Sequence, residues 1–181
     1  MIPIPGFVIS ILSFPGVIVH EAAHFLFCKW GKVAVVDVCY FRVGNPAGYV
    51  IHEPIRKFST ALLVAMGPFI INSLLCIVFC FPALFPMKMF GQNNILSYFW
   101  MWLGISIGMH AFPSTVDAKG LWEQAKTAAK AGNPLAFASF PLVVLIYVAN
   151  ILSFIWFDAI YGVAIGWGLP SLVIGLIFPL G

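Results

Sequence analysis

Charge is what this chain has little of. Only 8% of its 181 residues are charged, 6 acidic and 9 basic, against 62% hydrophobic. A water-soluble domain of this size carries about a quarter charged residues. So few charges cannot coat a surface that faces water, and that excludes a cytosolic enzyme. A chain this apolar is not disordered, and one this poor in charge cannot rely on a basic surface to hold nucleic acid. The four cysteines, Cys28, Cys39, Cys76 and Cys80, form no CxxC pair and no secreted disulfide framework. Cys76 and Cys80 stand one helical turn apart in an apolar run, where cysteine behaves as a small buried hydrophobe. The opening residues carry no basic stretch and no small-residue cleavage site follows, so the first apolar run reads as a spanning segment and not a cleaved signal. No separate soluble domain is expected. The longest stretches outside apolar runs, 29–57 and 113–134, are too short to hold a core.

What is there is apolar length. A bilayer core needs about 20 apolar residues per helix, and five runs qualify: 4–28, 58–84, 95–112, 135–157 and 159–178. The pattern predicts an all-α polytopic membrane protein, one membrane domain over 1–181. The last two runs are separated by little more than Asp158, as a tight helical hairpin or one interrupted unit. Pro15, Pro68, Pro141 and Pro170 lie inside these runs, which lipid tolerates where neighbours or water satisfy the freed carbonyls. Lys29, Lys32, Arg42, Arg56 and Lys57 follow the first run, and Lys119, Lys126 and Lys130 follow the third; Lys88 is alone elsewhere. The positive-inside rule places those two loops in the cytoplasm. Five spans then put the N-terminus outside and the C-terminus inside. Residues 118–131 carry Leu121, Trp122, Ala125 and Ala129 on one side and lysines on the other, the pattern of an interfacial helix. Residues 33–52 are β-branched and aromatic around Gly44-Asn-Pro-Ala-Gly, which predicts a β-hairpin at the membrane surface.

The first run holds His20-Glu21-Ala22-Ala23-His24, an H-E-x-x-H. On a helix, positions i and i+4 face one way, so both imidazoles can reach one metal ion, with Glu21 beside them to take a proton from an attacking water. Ionisable groups in a membrane helix are costly and point to function. The alternative is a polar cluster that bridges helices. A catalytic zinc takes three protein ligands. Cys28 lies a further turn beyond His24, about 6 Å along the axis, and is out of reach. His52-Glu53 starts a similar motif, but Arg56 stands where its second histidine would be, as in a solvated loop. His110 is placed near the metal or bonded to a neighbouring helix. Asp117, at the cytoplasmic end of the third run and so at the depth of His24, is the candidate third ligand; it also suits the N-cap of a helix from about 118. Asp158 falls on the other side of the membrane in this topology. In the second run, Gly67 permits close helix approach, Pro68 leaves the Val64 carbonyl without its helical donor, and Asn72 is a lone amide. Asn72 either bridges two helices or holds a substrate carbonyl or developing oxyanion.

Taken together and in this order, these pieces resemble the site-2 protease family of intramembrane zinc metalloproteases. That family has H-E-x-x-H in one transmembrane helix, a Gly-Pro helix with an asparagine next, and an aspartate later. His20, Glu21 and His24 match the first motif. Gly67, Pro68 and Asn72 resemble the second, with three residues between proline and asparagine where the family commonly has two. Asp117 resembles the aspartate, standing in Pro113-Ser-Thr-Val-Asp-Ala instead of the usual Asn-Pro stretch and Asp-Gly. The resemblance spans about residues 7–125, a three-helix core. It implies one Zn²⁺ held by His20, His24 and Asp117, with Glu21 and Asn72 as catalytic residues, and hydrolysis of transmembrane protein substrates near the cytoplasmic side. It also implies a surface sheet after the first core helix, to which a substrate strand can add. Two other functions compete: an inactive relative that binds membrane partners, against which the complete motif argues, and a metal transporter, which would need ionisable residues on both sides of the midplane. Water must reach a site ~10–15 Å below the surface, from the rise between His20 and Lys29.

Overall fold

The computed structural model describes residues 6–178; residues 4 and 5, which open the first expected span, lie outside them. Among the described residues, eight α-helices and one antiparallel pair of strands follow in the order α1 (Gly6–Leu12), α2 (Phe14–Trp30), β1 (Val35–Cys39), β2 (Tyr49–His52), α3 (Phe58–Phe90), α4 (Ile95–Met109), α5 (Thr115–Lys130), α6 (Pro134–Leu152), α7 (Phe157–Val163) and α8 (Leu169–Ile177). Three helical stretches among them are long and apolar enough to cross a membrane: Phe58–Phe90, Pro134–Ile155 and Phe157–Ile177. Ile95–Met109 is apolar but shorter. Outward-facing positions are apolar too, with Ile95 86%, Phe154 89% and Leu176 83% exposed, a surface suited to lipid and not to water.

The first expected span is two helices. Ser13 stands between α1 and α2, its hydroxyl donating to the Ile9 carbonyl, and Pro15 begins the next helix. α2 then runs antiparallel to α3, so that His24 meets Val64 while Gly16 meets Asn72. α4 returns along α3: Asn72 reaches the Ile107 carbonyl, and Cys80 that of Met101. Gly16 is required where α2 crosses α4, because a Cβ there would strike the Ser106 carbonyl oxygen.

The helix expected at 118–131 is α5, with Lys119, Glu123 and Lys130 exposed along one side. α5 buries Ala118, Leu121 and Ala125 against Phe58 and Ala65 of α3 and Ala136, Val143 and Ile146 of α6. Its apolar side is covered by α3 and α6 while its charged side stays exposed. Nor do the last two apolar runs form a hairpin. Asn150 at the end of α6 bonds Pro113 and Thr115. Tyr161 in α7 meets Ser73, Gly166 lies against the Cys76 and Cys80 sulfurs, and Phe178 packs on Phe85 at 5.6 Å. The contacts advance steadily along α3, so α6, α7 and α8 form one interrupted run. A 3₁₀ turn at Ser153–Ile155 and a π-turn at Ala164–Gly168 mark the interruptions. The last two apolar runs therefore follow α3 in one direction, the interrupted arrangement and not the hairpin.

The hairpin pairs Val35 with His52 and Cys39 with Tyr49. It lies along α2 with its connecting loop turned toward the start of that helix, where Phe41 meets Phe14 at 5.9 Å.

Candidate metal centre

One face of α2 carries His20, Glu21 and His24 to a cavity of about 550 Å³, where Asp117 joins them. The ligand atoms of His20, His24 and Asp117 all lie within 4.8 Å of one another. Between His24 Nε2 and Asp117 Oδ2 the separation is 3.5 Å. Two ligands each about 2.0–2.1 Å from a tetrahedral zinc stand about 3.3 Å apart, so this spacing suits a shared cation.

Both imidazoles are oriented by backbone. His20 Nδ1 lies 2.7 Å from the His110 carbonyl oxygen and His24 Nδ1 lies 3.0 Å from that of Val64. A carbonyl only accepts, so each Nδ1 carries a hydrogen, and each ring when neutral presents the Nε2 lone pair. Each carbonyl is free for a local reason. Pro68 has no N–H to give the Val64 oxygen, and His110 caps the C-terminal end of α4, where carbonyls lack helical donors. Two imidazole lone pairs and a carboxylate thus converge, a donor set that fits zinc.

Asp117 is not an N-cap. It is the third residue of α5 and forms a capping box with Ser114: Asp117 N–H donates to Ser114 Oγ at 3.2 Å, and its Oδ2 accepts from Ser114 N–H at 2.9 Å and from the Ser114 hydroxyl at 2.6 Å. The cap therefore aims the carboxylate at His24. Glu21, 9% exposed, lines the same cavity beside the ligands. Gly48 of the hairpin closes over it, where a Cβ would stand 2.6 Å from Glu21 Cγ. At the hairpin, Tyr49 donates to Asp37 at 2.9 Å, and that carboxylate holds the phenol above its ordinary range.

Asn72 departs from the oxyanion role. It is fully buried and does not line the cavity. Its amide hydrogens go to backbone carbonyls, those of His110 at 3.0 Å and Ile107 at 3.1 Å, which leaves no donor for a substrate. This is the helix-bridging alternative. His110 is bonded through Nε2 to Ser13 Oγ at 2.8 Å; the Ser13 hydroxyl hydrogen goes to Ile9, so the imidazole donates. Cys28 is buried with no part in the cavity. His52 bonds the neighbouring Glu53 carbonyl from the cavity rim.

Asp158 is the other correction. It lines this same cavity, held by Ser153 Oγ at 2.5 Å, together with Asn150. Its assignment to the opposite side rested on a hairpin between the last two runs, and α6 instead ends beside Pro113. Ser114 and Gly48 also went unnoticed in the sequence. The Ser-x-x-Asp pattern at 114–117 signals the first; a glycine that serves only a contact distant in sequence carries no local signal. No protein-family model, curated protein or solved structure matches this chain.

Proposed function

We propose that this chain is an intramembrane zinc metalloprotease of the site-2 protease kind, cutting peptide bonds of transmembrane proteins. The observation that carries the reading is the convergence of His20, His24 and Asp117 within 4.8 Å, with Glu21 adjacent on the same helix and all four in one cavity. Those three residues would hold one zinc ion, whose Lewis acidity would lower the pKa of water toward ~7 and polarise a carbonyl. Glu21 takes the proton from the attacking water on its carboxylate and returns it to the leaving amine. The backbone carbonyls of His110 and Val64 keep the imidazoles aligned. Asp117 is kept aimed by Ser114. The hairpin beside Glu21 limits the water that enters and offers an edge along which an unwound substrate segment can lie.

On this reading α1–α2, α3 and α4 run in alternating directions through the bilayer, and α6, α7 and α8 follow α3 in its direction. Lys57 and the α5–α6 turn share one end of the bundle, with Lys29 and Lys32 at the close of α2. The charge rule makes that end cytoplasmic. The end of α8, beside Phe85, then faces away from the cytoplasm.

The test is Glu21→Gln in proteoliposomes with a co-reconstituted transmembrane substrate. Zinc content is expected to stay at one per chain while cleavage falls by about 10²–10⁴-fold. Cleavage equal to wild type in that variant overturns the proposal. Zinc binding by wild type without cleavage of any transmembrane substrate would favour an inactive relative.

A further inference from the structure

We infer that Asn72 is a positioning residue of the metal centre: its amide and the His20 imidazole share one acceptor, the His110 carbonyl oxygen, so that Asn72 fixes the group that fixes the ligand. The inference rests on the metal reading above.

The geometry is specific. The His110 carbonyl accepts His20 Nδ1–H at 2.7 Å and Asn72 Nδ2–H at 3.0 Å. A carbonyl oxygen has two lone pairs, and these two donors use both. The oxygen belongs to the residue after α4, where no helical N–H arrives: the Ser114 N–H, four residues on, is turned to Asp117. Without Asn72, the carbonyl that sets the His20 tautomer would be held from one side only. The second Asn72 hydrogen bonds Ile107, and the Gly16 carbonyl lies at 3.4 Å. One amide therefore ties the helix that carries the histidines to the end of the helix that orients one of them.

The other end of the amide separates this role from plain helix bridging. Asn72 Oδ1 is buried with no hydrogen-bond partner among the described residues. A buried unpaired oxygen destabilises the fold. Only the donors are used: they reach the carbonyls of Ile107 and His110 at the end of α4 and that of Gly16 in α2.

The test is zinc affinity by chelator competition on the detergent-solubilised full chain, with thermal melting of the zinc-free form alongside. Asn72→Leu keeps the approximate shape and removes both donors. Zinc binding is expected to weaken about 10- to 100-fold, the range for loss of a residue that orients a metal-ligating histidine. In the zinc-free chain, ¹⁵N-histidine spectra are expected to change from a single Nδ1–H tautomer at His20 to a mixture. A merely structural role would shift melting and leave both zinc affinity and tautomer alone, and that result overturns the inference. Where the leucine variant does not fold, Asn72→Ser, too short to reach His110, is read by the same two outcomes. Wild type that takes up no zinc defeats the metal reading, and this inference with it; wild type that binds zinc no better than Asn72→Leu defeats this inference alone.

Discussion

His24 gives its Nδ1 hydrogen to the carbonyl oxygen of Val64, 3.0 Å away on the neighbouring helix. That oxygen is available because the residue four positions on is Pro68, which has no N–H to return to it. A residue that weakens its own helix thus orients a candidate ligand on another. Pro68→Ala would supply the missing donor. The α3 helix is expected to gain stability, proline being about 3 kcal/mol worse than alanine in a helix interior. Zinc affinity is expected to fall about 10-fold, as a helical bond from the new N–H at position 68 draws the Val64 oxygen toward its own helix and away from His24. Chelator competition and thermal melting of the same preparation should move in opposite directions. Unchanged affinity would mean that Val64 serves both donors.

Asp117 is held by Ser114 and faces His24, so candidate ligand and capping-box carboxylate are one side chain. Asp117→Ala removes both, and elemental analysis is expected to fall from one zinc per chain toward none. Ser114→Ala keeps the carboxylate but not the 2.6 Å bond that aims it. It should retain zinc with about 10-fold weaker affinity and cost about 1 kcal/mol of stability, as a lost cap does. Equal zinc loss in both variants would point to unfolding of α5 in place of lost ligation.

The sequence revealed the local chemistry and much less of the long-range path. His20, Glu21 and His24 were legible because helical spacing alone puts them on one face, and the strands at 33–52 because β-branched runs flank a turn cluster. The free Val64 carbonyl was legible from Pro68 as well, though not its use by His24. What failed was the direction of the chain after α5. Asp158 between two apolar runs resembles a loop between spans, and nothing local says that Trp156 and Phe157 resume the same course. That is decided by Asn150 bonding Pro113 and by Gly166 seating against Cys76 and Cys80, contacts with partners far away in sequence. The same gap misplaced Asp158.

The path of the last run can be tested by labelling. Single cysteines at Lys57, Ala131 and Phe178, in a background with the half-buried Cys39 replaced, are treated with a membrane-impermeant maleimide on sealed, oriented vesicles. Positions 57 and 131 line one surface cavity and should label from the same side. Position 178, packed beside Phe85, should label from the other. Labelling of all three from one side would restore the hairpin between the last two apolar runs.

Gly48 offers a way to disturb the chemistry without touching a metal ligand. A methyl group there would stand 2.6 Å from Glu21 Cγ and 3.1 Å from the carbonyl oxygens of Cys39 and Tyr40. The two carbonyls belong to the hairpin itself and would have to give by only a few tenths of an ångström, less than Glu21 must. Glu21 is a flexible side chain and yields by rotating, which moves the carboxylate that handles the proton. His20 and His24 are braced from the far side by His110 and Val64 and have no reason to follow. Gly48→Ala is therefore expected to leave zinc content at wild-type level and lower kcat by about 10- to 100-fold, the scale for a catalytic group displaced by about 1 Å, with a larger loss in Gly48→Val. Paired measurements of zinc per chain and of the cleavage rate decide it. If zinc is lost along with activity, the hairpin holds the ligands as well as the base; if neither changes, Glu21 has room that the packing at Gly48 denies it.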